Sequence, residues 1–268
     1  MQQDTSKNIT SSPSAPLPAS APNPSAPLTQ TEQAPSPTQV EGRQEQPAKA
    51  EAKGRGEVNL YRPYKAPALA WIIIRRLARM IFFLLAHIEV RGREHVPTRG
   101  PFILASNHLS WFDVPLVPAY IRPQTLTMAK EELFHGPVRW LVRFMGGFPV
   151  KRGEADRQAI RAADELLKEG NVFFIFPEGT RSKTHKLAKG HSGLGMIALR
   201  SGAPVIPVAV TGSENLLKKF RPRVTITYGE PLTFKPAGRK TTREDIENAT
   251  DEVMAKIAAM LPPAYRDK

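Results

Sequence analysis

A histidine and an aspartate five residues apart, in Ser106-Asn107-His108-Leu109-Ser110-Trp111-Phe112-Asp113, are the residues of this chain best suited to move a proton. Imidazole exchanges its proton near neutral pH, and a carboxylate on one ring nitrogen fixes the tautomer and leaves the other nitrogen as a base. Their spacing limits how they can meet. Five residues of helix turn through about 500 degrees, which would hold the two side chains roughly 140 degrees apart. They meet if His108 lies on a loop and Asp113 at the mouth of the next helix, with Val114-Pro115 as its opening residues. The same residues also fit a plainer pattern, with Asp113 an N-cap and His108 a loop histidine.

A second stretch, Phe176-Pro177-Glu178-Gly179-Thr180-Arg181-Ser182, has the composition of an anion-binding turn. Gly179 lets the backbone turn tightly and expose its amides, Thr180 and Ser182 add hydroxyls, and Arg181 supplies a planar fork suited to phosphate. It is not a Walker loop, whose spaced glycines and Gly-Lys-Ser/Thr ending are absent. Glu178 would repel a phosphate, so its expected task is to bond a hydroxyl or to position Arg181. A Pro-Glu-Gly turn with a solvated arginine fits this stretch equally well. Lys130 and Lys151-Arg152 are further candidate cations, each an ordinary surface charge when taken singly.

These residues need a scaffold that gathers them, and the hydrophobic pattern supplies one. Pro101–Ala105 is an apolar run leading into His108, Thr125–Ala129 ends at Lys130, Phe148–Arg152 is short and extended, and Asn171–Phe176 is continuously apolar. Further strands are expected at His87–Gly92, Val205–Val210 and Arg223–Tyr228. Helices are expected at Pro137–Met145, at Asp156–Lys168 ended by Gly170, up to Arg200 before Gly202, and at Thr241–Leu261. Strands alternating with helices indicate an α/β domain with a mostly parallel central sheet flanked by helices, whose strand ends carry the chemistry. On such a sheet His108, Lys130, Arg152 and Arg181 share one edge.

Three segments follow: a tail at 1–57, a helical segment at 58–86 and the main domain at 87–268. The tail carries nine of the 26 prolines and almost no large apolar side chains, so it is expected to be disordered. Its net charge is minus one, which leaves plus fourteen of the total plus thirteen on residues 58–268. A basic surface favours phosphate-bearing partners. Nucleic acid is disfavoured, because no reading motif and no set of stacking aromatics accompanies the charge. The chain has no cysteine, which excludes disulfides, thiolate metal sites and a cysteine-bound intermediate.

Residues 67–86 are the most hydrophobic stretch, nearly the length of a membrane span but interrupted by Arg75, Arg76 and Arg79. A central arginine costs about 2.5–3.5 kcal/mol on an insertion scale, so three offset most of the aliphatic gain. On a helix they fall within about 100 degrees, one cationic face on an apolar cylinder. The expected arrangement is a helix lying in the membrane interface with its arginines toward lipid phosphates. The alternative is a core helix with its arginines exposed. No apolar signal core is visible in the tail, which leaves a peripheral or monotopic protein on the cytoplasmic face of the inner membrane as the expectation.

Four stretches in order, Asn107 to Asp113, Gly147 to Arg152, Phe176 to Ser182 and Val205 to Val208, together resemble the glycerolipid acyltransferases, in particular the 1-acylglycerol-3-phosphate acyltransferase family. The resemblance spans about residues 87–235. It implies that His108 is the general base for the sn-2 hydroxyl of 1-acylglycerol-3-phosphate (lysophosphatidate), that Asp113 orients it, and that the product is phosphatidate. It further implies that Arg152, Glu178, Gly179 and Arg181 bind the glycerol phosphate, while Pro207 has a less defined role; Lys130, by its place at a strand end on the same edge, is the further substrate-binding candidate. Ser110 is read as a loop residue and not a nucleophile. The donor would be acyl-CoA or acyl carrier protein, with no metal or redox cofactor. Another lysolipid, such as lyso-ornithine lipid or a lysophospholipid, is the alternative acceptor. A non-enzymatic basic membrane-binding protein is the alternative from another class.

Overall fold

The computed structural model describes residues 64–137, 139–150, 155–235 and 240–266. The tail at 1–57 and Arg152 both lie outside the described residues. In chain order the elements are α1 (Ala68–Leu85), β1 (His87–Arg91), β2 (Phe102–Ser106), α2 (Asp113–Ala119), β3 (Thr125–Lys130), α3 (Arg139–Phe144) and β4 (Gly147–Val150). They continue with α4 (Ala155–Lys168), β5 (Val172–Ile175), α5 (Gly193–Ser201), β6 (Val205–Thr211), β7 (Arg223–Tyr228) and α6 (Arg243–Met260).

The seven strands form one sheet in the order β1-β7-β6-β2-β5-β3-β4. β2 through β6 run parallel to their neighbours, and β7 is antiparallel to β6 with β1 parallel to β7. The C-terminal ends of β2, β3, β4, β5 and β6 therefore lie on one edge, the candidate catalytic edge. The start of β7 joins them there, because it pairs with the end of β6 through Thr211 and Thr225.

Side chains alternate across the sheet with a period of two, and each parity feeds a separate core. Phe102, Leu104, Phe174, Ile206 and Val208 pack toward α1 and α2, with Phe82, Leu116 and Val117. Ile103, Ala105, Phe173, Val205 and Ala209 pack toward α4, α5 and α6, with Ala163, Leu167, Ile197 and Val253. Sheet strands covered on both faces carry continuous apolar runs, which is why β2, β5 and β6 stand out in the sequence. The helix starting at α6 is set by a capping box, in which Thr242 Oγ1 accepts from Asp245 N and the Asp245 carboxylate accepts from Thr242 N. α5 stops at Gly202, whose φ of 63° suits a left-handed cap.

The orientation of α1 differs from the sequence expectation. Arg75 and Arg79 point at the domain and cap the end of α2: Arg75 donates to Ile121 O, Arg79 Nε to Ala119 O at 2.6 Å, and Trp71 Nε1 to Arg122 O at 3.1 Å. Burial, together with the neighbouring guanidiniums of Arg79, Arg93, Arg122 and Arg76, pushes Arg75 below the ordinary arginine value. Only Arg76 of the three is exposed. The outward face is apolar instead, carrying Leu69, Ile73, Leu77, Met80, Phe83 and Leu84. The physical reason is that the carbonyls of Ala119 and Ile121, at and just past the end of α2, lack helical partners and accept hydrogen bonds from these guanidiniums. No helix among the described residues is long and apolar enough to cross a membrane.

Candidate active site

The loop after β2 is pinned before it turns. Asn107 continues the strand with its side chain, donating Nδ2 to Val210 O at 2.9 Å and accepting Val210 N on Oδ1 at 2.7 Å. The amide thereby mimics one more residue of the β2–β6 ladder, and the chain leaves the sheet at His108.

Asp113, fully buried as the first residue of α2, gathers three donors on one oxygen. Its Oδ2 accepts Leu109 N and Ser110 N, each at 2.7 Å, and His108 Nδ1 at 2.9 Å. An N-capping carboxylate accepts amides ahead of it in the helix. This one reaches backward, so the loop curls around the carboxylate and the His–Asp contact is made in the geometry expected of a loop and a helix mouth. With the Nδ1 proton donated to Asp113, Nε2 carries the lone pair, and it has no hydrogen-bond partner among the described residues. The His108 ring stacks on Phe176, centroids 3.9 Å apart and planes 18° from parallel, and its side chain keeps 13% exposure.

The turn after β5 holds the same histidine by its backbone. Glu178, buried, accepts His108 N on Oε1 at 2.9 Å and Ala188 N on Oε2 at 2.9 Å. Ser182 N donates to His108 O at 2.8 Å. Both carboxylate oxygens of Glu178 are thus committed to main-chain amides, and neither a hydroxyl nor Arg181 receives them in this structure. Burial raises the Glu178 carboxyl above the ordinary glutamate value, and the amides of Ala188 and His108 partly offset that rise.

Gly179 is required by conformation and by space. Its φ is +67°, and a Cβ there would lie 3.0 Å from His191 Cδ2. Arg181 is exposed, and its guanidinium sits 4.3 Å from the ring centroid of Trp111, itself exposed, in a cation–π contact. Neither Arg181 nor Lys130, the exposed last residue of β3, pairs with a carboxylate among the described residues. Lys130 is in register with Val150, the last residue of β4. Pro207 lies mid-strand in β6, opposite Ala105 of β2. Ser110 Oγ accepts Phe112 N at 3.3 Å.

The family model described as Acyltransferase matches residues 87–211, from β1 through β6. A 1-acyl-sn-glycerol-3-phosphate acyltransferase of Bacillus subtilis (strain 168) is 31% identical over 186 residues, covering 67% of this chain and 90% of that protein. The chain belongs to the 1-acyl-sn-glycerol-3-phosphate acyltransferase family. This acyltransferase also matches the crystal structure of a 1-acyl-sn-glycerophosphate (LPA) acyltransferase from Thermotoga maritima, with a TM-score of 0.55 and 29% identity over 71% of this chain and 79% of that one. A lyso-ornithine lipid O-acyltransferase of Pseudomonas aeruginosa is 33% identical over 151 residues, 56% of this chain and 55% of that protein.

Three contributors to the acyltransferase site had no role assigned from sequence: Asn107, Phe176 and Trp111. Each lies inside one of the ordered stretches, which is the signal that could have singled them out. Their partners, Val210, His108 and Arg181, lie 103, 68 and 70 residues away. Separations of that size cannot be read without the fold.

Proposed function

We propose that the acyltransferase moves a fatty acyl group from acyl-CoA or acyl carrier protein to the sn-2 hydroxyl of 1-acylglycerol-3-phosphate, giving phosphatidate for phospholipid synthesis. The observation that carries this reading is the free Nε2 of His108, held by Asp113 on Nδ1, at the same edge as the uncommitted cation Arg181. Nε2 takes the proton of the acceptor hydroxyl as its oxygen attacks the thioester carbonyl. The C–S bond then breaks, and the departing thiolate recovers the proton from the imidazolium. No covalent enzyme intermediate is needed, and the reaction as written uses no metal or redox cofactor.

Arg181, with Arg152 and Lys130, would meet the acceptor phosphate, and the exposed Gly179 turn gives the phosphate close access to main chain. Glu178 would serve substrate binding indirectly, by holding the two loops together. The apolar outer face of α1 supports peripheral attachment to a membrane, with the cytoplasmic face of the inner membrane as the proposed location. Acyl transfer to another lysolipid is the second reading, favoured by the 33% identity to the lyso-ornithine lipid enzyme.

An acceptor panel decides between them. Purified protein is given labelled acyl-CoA or acyl carrier protein with lysophosphatidate, lyso-ornithine lipid or a lysophospholipid of larger headgroup. Preferential conversion of lysophosphatidate supports the proposal, and turnover of lyso-ornithine lipid alone overturns it.

A further inference from the structure

The loop between β6 and β7 carries the two most exposed large apolar side chains among the described residues, Phe220 at 94% and Leu217 at 78%. The loop holds them out on a fixed base. Leu216 is buried beneath it, Tyr265 Oη donates to Glu214 Oε1 at 2.8 Å and accepts Gly212 N, and Lys218 N and Lys219 N both donate to Asn215 O. Lys218 and Lys219 are exposed between the two apolar residues. Arg221 closes the loop onto α1, donating to Phe83 O at 3.1 Å with its guanidinium 5.6 Å from the Phe83 ring centroid. Phe83 and Leu84 belong to the exposed apolar face of α1, so Arg221, next to Phe220, joins the loop to that face.

We propose that the 216–221 loop is a second lipid-contacting element, inserting Leu217 and Phe220 into the headgroup–acyl boundary of an anionic bilayer while Lys218, Lys219 and Arg221 meet lipid phosphates. A lone exposed Leu or Phe needs no explanation, but an apolar pair interleaved with cations and joined to an apolar helix face matches an interfacial membrane surface. The position gives the contact its purpose. The loop follows Thr211, the last residue of β6 and the neighbour of Val210, which is bonded to Asn107, and so it lies on the same sheet edge as the loop that carries His108. Contact at α1 alone leaves the domain free to rotate about the helix axis. A second contact at the edge holding the base fixes that edge against the leaflet. The proposal rests on the lipid-acceptor reading above, and binding is read separately from turnover.

The test is co-sedimentation of the full chain with vesicles of phosphatidylcholine alone or mixed with phosphatidylglycerol. Leu217→Ser combined with Phe220→Ser is expected to lower the vesicle-bound fraction about tenfold or more on either composition. Lys218→Gln combined with Lys219→Gln is expected to weaken binding about tenfold on anionic vesicles only. Both pairs are solvent-exposed, so the variants should keep the parent's thermal unfolding midpoint and its turnover of a monomeric short-chain acceptor. Unchanged vesicle binding in the Leu217/Phe220 variant overturns the proposal. So does intact vesicle binding with selective loss of turnover on acyl carrier protein, which would assign the patch to the protein donor.

Discussion

The two loops at the catalytic edge are built in opposite ways. His108 is fixed at four points, its ring by Asp113 on Nδ1 and by Phe176, its amide by Glu178 and its carbonyl by Ser182, with Nε2 left open. Arg181, on the loop that does much of this fixing, is exposed and lies over the face of Trp111, with no carboxylate partner among the described residues. A base must sit within hydrogen-bond reach of one proton in one geometry, so rigidity serves it. A phosphate-binding cation must exchange water for ligand at each turnover, and a carboxylate partner would compete with that ligand. The Glu178 carboxylate lies three residues from Arg181, yet it is turned inward onto two amides and away from this competition.

The sharpest way to break the rigid half is to remove His108, the proposed base. His108→Ala is expected to lower kcat by about 10²–10⁴-fold, the range for loss of a positioned general base, with little change in KM. Steady-state rates with labelled acyl-CoA check this, and undiminished turnover would sink the mechanism. Asp113→Asn should follow with a smaller loss, about 10²-fold in kcat. Its amide oxygen can still take the three donors now on Oδ2, but the side chain is neutral and stabilises an imidazolium far less, and its NH2 would be buried where Oδ1 has no hydrogen-bond partner among the described residues. A normal circular dichroism spectrum would separate a mispositioned base from an unfolded chain.

Glu178→Gln breaks the joint between the two loops. A glutamine side chain offers one acceptor where two buried amides, His108 N and Ala188 N, each need one. Leaving one unpaired is expected to cost about 1–3 kcal/mol in denaturant unfolding. The pH dependence has a defined sign. The Glu178 carboxyl is raised by burial, so the folded state holds this proton to higher pH than the unfolded chain. Its contribution to stability is fully present below the ordinary glutamate value and is lost as pH rises through the raised one. That descending contribution should vanish in the glutamine variant, and equal pH slopes for the two proteins would count against it.

The same contrast explains how much could be read from the sequence. The His108–Asp113 pair was legible because loop and helix mouth are local, and β2, β5 and β6 because buried parallel strands carry long apolar runs. The reversed direction of β7 and β1 was not, since Arg223–Tyr228 has the same composition in either direction. The two amides that Glu178 accepts are not legible either, because sequence shows its charge but not His108 N and Ala188 N, 70 and 10 residues away. α1 was turned over for a related reason. Helical periodicity places Arg75, Arg76 and Arg79 on one arc, but which side of the helix meets the protein depends on the carbonyls of Ala119 and Ile121, 40 and 46 residues from the arginines they bind.

On the free side, Arg181→Ala is expected to raise KM for a phosphate-bearing acceptor about tenfold with kcat changed much less, as loss of one charge-assisted contact would do. Arg181→Lys should recover only part of this, because an ammonium lacks the planar fork and stacks less well on Trp111. If both variants also raised KM for a phosphate-free acceptor equally, Arg181 would be a structural cation and the contrast would lose its second half.

The smallest effect is expected at Ser110, which sits between the two cases. Its hydroxyl lies within the His–Asp loop and has the chemistry of a nucleophile. Yet the Asp113 oxygen that polarises His108 binds the Ser110 main-chain N–H and not its Oγ, which instead receives a long bond of 3.3 Å from Phe112 N. Ser110→Ala keeps the main-chain bond and loses only that weak contact. Its kcat should stay within about threefold of the parent and its stability within about 1 kcal/mol. A loss comparable to His108→Ala, or trapping of labelled acyl group on the parent protein but not on this variant, would mean that acyl transfer passes through Ser110, with His108 activating the serine instead of the lipid hydroxyl.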